Sequence, residues 1–258
     1  MTAVTDPSTV QNETLTMPLT RLVAVELRKL ADTRAGLWLL IIIGLITAGT
    51  SAIQLGWADE ESQTFAAFYT FGLLPSAVLL PVLGILSVTS EWSQRTVLST
   101  FTLVPARGRV MMAKLAAGTL IAIAATAATA VLAAVANLIA GPLGGDASWA
   151  MDNSLIWQSL LLQVIFVLMG IGFGALLLNT PLAIVIFFAL PTVWTVLGES
   201  IRGLRTAAEW LDLNVTSQAM TEPDMTGGEW ARLGVSVALW VALPLLLGTV
   251  RVLRREVS

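Results

Sequence analysis

Residues 155–197 read LIWQSLLLQVIFVLMGIGFGALLLNTPLAIVIFFALPTVWTVL, without one Asp, Glu, Lys or Arg. As a single helix this run would be about 65 Å long, roughly twice the ~30 Å hydrocarbon core of a bilayer. One helix cannot cross a membrane that way. The only interruption is Asn179-Thr180-Pro181, and proline suits the first turn of a new helix. The run therefore divides into two spans, 155–178 and 182–197, joined by a tight turn.

Four more apolar runs of spanning length follow the same reading: 37–55, 65–88, 115–140 and 233–250. Composition agrees. Of 258 residues, 56% are apolar and 12% are charged, about half the usual charged share of globular proteins. The mean hydropathy is +0.81. The expected fold is all-α: a polytopic membrane protein with six transmembrane helices and one domain over residues 18–258. Residues 1–17 are polar and rich in Thr and Ser, and read as a disordered tail. The long basic stretch before the first span, and that span's length, argue against a signal peptide.

Charge placement sets the expected orientation, because short loops rich in Lys and Arg stay in the cytoplasm. With both termini cytoplasmic, eleven bases fall inside and three, Arg202, Arg205 and Arg232, fall outside. Most acids lie on the outer side, among them Asp59, Glu60, Glu61, Asp146 and Glu222.

Before the first span, LTRLVAVELRKLADTR (residues 19–34) places Leu19, Leu22, Val23, Leu27 and Leu30 on one helical face and Arg21, Arg28 and Asp32 opposite. This predicts an amphipathic helix on the cytoplasmic membrane surface. Glu26 projects from its apolar face, where an unpaired carboxylate is costly. Either it pairs with a base from another segment, with Arg95 and Lys114 as candidates, or it snorkels to the headgroups.

The loop after the second span, SEWSQRTVLSTFTLVPARGRVMMAK (residues 90–114), mixes bases with Trp92, Phe101 and Leu103. Aromatics beside Arg favour a docking surface; a surface helix anchored by Trp is the alternative. Between spans five and six, Ile201, Leu204, Ala208 and Leu211 recur at helical spacing beside Trp210. They predict one short helix, either a cap on the bundle or an outer gate. Pro75, Pro81 and Pro191 inside spans predict kinks, and Gly170 with Gly174 a face for close helix packing.

The chain has no His and no Cys, which excludes His bases, Cys nucleophiles, disulfides and the usual zinc sites. The span interiors hold only mild polar groups: Thr47, Thr50, Ser51, Ser76, Ser87, Thr126, Thr129, Asn137, Gln158 and Gln163. Ion-coupled transporters and intramembrane enzymes need ionisable groups or activated nucleophiles at depth. No Gly-rich phosphate loop followed by Lys and Ser/Thr is present either. Transport by this chain would need a separate ATPase. No cofactor, metal or nucleic acid is expected, and no enzyme activity.

The VELRKL helix, the six spans and the loop after span two together resemble the type-2 ATP-binding-cassette transporter permeases of bacteria. Family positions map onto Glu26 in the amphipathic helix, Glu91 after span two, then Thr96, Pro105, Arg107 or Arg109, and Lys114. Arg95 stands where the family often has Gly, so the local turn can differ. The resemblance implies a bacterial plasma-membrane permease, an exporter by family default, paired with an identical or sister chain. It also implies an ATPase subunit contacted through Glu26, Glu91, Trp92, Arg95, Thr96, Pro105, Arg107 and Arg109. The competing readings are a non-transporting membrane anchor or assembly subunit, and an intramembrane enzyme.

Overall fold

The computed structural model describes residues 17–94 and 106–255. Among these no strand occurs, and six helices are long and apolar enough to cross a membrane. They are Arg34–Trp57, Phe65–Ser93, Arg107–Leu143, Asn153–Leu177, Thr180–Ser200 and Gly227–Arg254, here spans one to six. The chain is a multi-pass membrane protein. The helices outrun the apolar stretches because their charged ends stay helical. Span three begins at Arg107, two turns before the first residue of its apolar run, Leu115.

The turn between spans four and five falls at Leu178-Asn179, as the interruption predicts. Leu178 takes a left-handed conformation (φ 52°), and the Asn179 side chain accepts from the Leu182 amide to cap span five, with Pro181 in its first turn. The expected tail, residues 1–17, lies outside the described residues except for Met17.

Span four is the centre of the bundle. Its most apolar stretch is 56% buried, against 22% for spans one and five. Lipid supplies no hydrophobic force between helices, so close packing depends on small residues that let backbones touch. A Cβ added at Gly170 would sit 2.2 Å from the Pro81 carbonyl oxygen, and one at Gly174 would sit 3.0 Å from that of Ile85. Gly84 returns the contact toward Val167. On the other flank, Gly248 of span six meets the backbone of Leu176. The packing role expected for Gly170 and Gly174 is what the structure shows.

The proline kinks are only partly as expected. Span two breaks at Leu73, between helices Phe65–Gly72 and Leu74–Ser93, with Pro75 in the first turn of the second piece. Pro81 and Pro191 sit inside continuous helices. Polar side chains of neighbouring spans bond the backbone around the break. Gln163 donates to Leu73 O (3.2 Å) and Ser76 Oγ (2.9 Å), and Thr47 donates to Gly72 O (3.2 Å). Such rescue by side chains makes broken helices tolerable in lipid. Span six carries a π turn at Ala238–Ala242 just before Pro244. Proline has no amide to donate back along the helix, so a widened turn there is its natural accommodation.

The connection between spans five and six differs from the single helix expected. It forms two short helices, Arg205–Leu211 and Leu213–Gln218, flanked by 3-10 turns. Asp212 divides them: its carboxylate accepts from the Asn214 amide at 2.9 Å and caps the second helix. Ala208 packs inward against Gly198, while Ile201 and Trp210 remain exposed.

Candidate functional site

The expected amphipathic helix is present as Leu19–Asp32. Leu22, Glu26 and Leu30, four residues apart, form its buried stripe and pack toward span three. Only Thr33 separates this helix from span one. Its hydroxyl caps span one by accepting from the Gly36 amide. A Cβ at Gly36 would lie 1.9 Å from Leu30 O, so the tight elbow requires glycine.

Glu26 does not snorkel. Its Oε2 accepts from Lys114 Nζ at 2.7 Å and its Oε1 from Lys29 Nζ at 2.9 Å. Glu91, near the end of span two, completes the cluster. Its Oε1 accepts from Lys114 at 2.9 Å and from Lys29 at 2.8 Å. Lys114 is only 4% exposed and gives its third proton to Ser87 O at 2.7 Å. All three ammonium protons are then used. Two carboxylates and two ammonium groups balance in charge, which is what makes their burial tolerable.

Lys29 stands apart electrostatically. Burial works to lower its pKa, but hydrogen bonds and charge attraction from Glu91 and Glu26 outweigh it and hold the ammonium above the ordinary lysine value. It therefore stays charged wherever free lysine does.

The bases flanking the cluster tie helix ends together. Arg107 Nη1 donates to the carbonyls of Val252 (3.2 Å), Leu253 (3.3 Å) and Arg255 (2.7 Å) at the C-terminus of span six. A cation there meets carbonyls that have no helical partner and the negative end of the helix dipole. Arg251 donates to Leu176 O at the end of span four. Arg109 Nη2 donates to Met17 O at 2.7 Å, just ahead of the N-terminal helix. The Arg255 guanidinium lies 4.9 Å from the centre of the Trp92 ring, within cation–π range.

The structure thus gathers Glu26, Glu91, Trp92, Arg107 and Arg109 at one end of the bundle, with Met17 and Arg255. Glu26 and Glu91 share one cluster, Trp92 and Arg107 hold the end of span six, and Arg109 holds the start of the N-terminal helix. Arg95, Thr96 and Pro105 lie outside the described residues, so Arg95 as a partner for Glu26 does too. Lys114, the other candidate, is a partner. Sequence reading missed Lys29, although the i,i+3 spacing from Glu26 is a signal for it. It also missed Arg251 and Arg255, whose partners lie far away in the chain.

No protein-family model matches this chain, and no curated protein matches it.

Proposed function

We propose that this chain is the permease subunit of a type-2 ATP-binding-cassette exporter. In this reading two such chains, identical or sister, form the substrate pathway. A separate ATPase subunit docks where the N-terminal helix meets the ends of spans two and three, and that end faces the cytoplasm of a bacterial plasma membrane. The observation that carries the reading is the ion cluster. Glu26 and Lys29 from the surface helix, Glu91 from span two and Lys114 from span three make one unit of three segments. A push on the connection between spans two and three would reach the surface helix and span three through short charged contacts. Arg107 extends the unit to span six. Movement driven from outside the membrane needs a coupling element of this kind, because the spans hold no ionisable group at mid-depth.

Orientation rests on the distribution of bases and is open to a direct test. The chain has no cysteine, so single-cysteine labelling has no background. In intact cells, a membrane-impermeant maleimide should label Gly203→Cys, on the connection between spans five and six, and leave Arg254→Cys unlabelled until the cells are opened. The reverse pattern would put the cluster outside, where no ATPase could reach it.

A further inference from the structure

A cavity of about 490 Å³ opens between the N-terminal helix, the start of span one, and the cluster ends of spans two and three. Its size lies in the ~300–1,000 Å³ range of small-ligand pockets. Glu26, Lys29 and Glu91 line one side; Leu22, Leu30, Leu83 and Val110 supply apolar wall.

The charge presented to this cavity is one-sided. The side chains of Glu26, Glu91 and Lys114 are 6%, 11% and 4% exposed, whereas that of Lys29 is 39% exposed. Lys29 gives one proton to each carboxylate, and an ammonium has three. One proton is left to aim at a ligand. On the same lining, the Ser90 hydroxyl and the Gln94 side-chain amide have no hydrogen-bond partner among the described residues, and both can donate. An anion therefore finds three donors, while a cation finds its natural partners already sealed. The position is also specific. The lining comes from the ends of membrane spans and from an amphipathic helix, which places the cavity where lipid headgroups meet acyl chains.

We infer that this cavity holds one anionic phospholipid from the adjoining leaflet. Its phosphate sits at Lys29, Ser90 and Gln94, and an acyl chain runs along Leu22, Leu30, Leu83 and Val110. The lipid fills the space beside the ion cluster and fastens the N-terminal helix to spans two and three. The site depends on the membrane fold and not on the transport reading.

Native mass spectrometry of the detergent-purified full chain, with any partners that accompany it, tests this. Phosphatidylglycerol and phosphatidylethanolamine with the same acyl chains are the probes. One phosphatidylglycerol should be retained about fivefold better than phosphatidylethanolamine, as one lysine near a headgroup predicts. Lys29→Gln should abolish that preference. Val25→Trp, which fills the cavity from the exposed face of the helix and leaves the ion cluster alone, should lower retention of both lipids. If Lys29→Gln fails to fold, the Val25→Trp result decides. Excess inorganic phosphate should displace neither lipid. Equal retention of the two lipids by the wild type, undiminished retention by Val25→Trp, or displacement by phosphate alone would each overturn the site.

Discussion

At the end of the bundle where the N-terminal helix packs, four charged side chains are joined by Lys–Glu contacts of 2.7–2.9 Å. At the opposite end, beside the Arg232 guanidinium 5.8 Å from the centre of the Trp210 ring, distant segments of the described residues are joined by hydrogen bonds between neutral groups. Thr216 and Ser236 hydroxyls share a 2.6 Å bond, Trp240 Nε1 donates to Leu211 O at 2.6 Å, and Asn137 donates to Ala147 O at 3.0 Å. The two chemistries respond differently to damage. A neutral bond is worth about 1 kcal/mol net. Removing one member of a buried charge cluster leaves the others stranded and costs about 3–5 kcal/mol. The protein thus concentrates its sensitivity at the charged end.

Breaking the cluster at its most buried member should have the largest effect. Lys114→Met takes from Glu26 and Glu91 the buried ammonium that both accept from. We expect a loss of about 3–5 kcal/mol, read as a collapse of the thermal unfolding midpoint in detergent. Glu26→Gln is milder, because Lys114 keeps Glu91 and the Ser87 carbonyl. A loss of about 1–3 kcal/mol is expected, with the folded yield largely retained. At the neutral end, Thr216→Val removes one hydroxyl bond and should cost about 1 kcal/mol, measured the same way. If Thr216→Val proved as damaging as Lys114→Met, the contrast between the ends would be wrong.

The smallest effect is that of pH. A group whose pKa is raised on folding contributes stability that is fully present below its unfolded value and is lost as pH climbs through the folded one. For Lys29 the unfolded value is about 10.4 and the folded one lies above it. The Lys29 contribution should therefore be fully present and independent of pH between about pH 6 and 9. A fall should appear only in stronger alkali, and Lys29→Gln should remove that fall. A Lys29-dependent loss of stability near neutral pH would show that its ammonium is not held as described.

Much of this architecture could be read from the chain. Runs such as 115–140 have one physical solvent, and Asn179-Thr180-Pro181 marks a turn that the structure places where the sequence interrupts. Glu26 was legible as a misfit on an apolar face, and one of its two candidate bases, Lys114, is its partner. Span two breaks at Leu73 and not at its interior prolines, because Pro75 serves as the start of a new helix and Pro81 stays in a helix packed against Gly170. Asp212 splitting the connection between spans five and six is an effect of capping, visible only once the chain direction changes there. Arg107 reaching the end of span six spans some 145 positions in sequence, a separation that local patterning does not encode.

The central proposal is that the chain is a permease and that an ATPase drives it at the ion-cluster end. Affinity purification of the tagged chain in mild detergent, with co-purifying chains identified by mass, tests it most directly. The account predicts a soluble partner carrying a Walker-type phosphate loop. It also predicts that Trp92→Ala, at the rim of the cluster, weakens recovery of that partner while membrane insertion is unchanged. Recovery of the chain alone or with other membrane proteins, under conditions that keep known permease complexes intact, would contradict it and leave the chain as an anchor or assembly subunit.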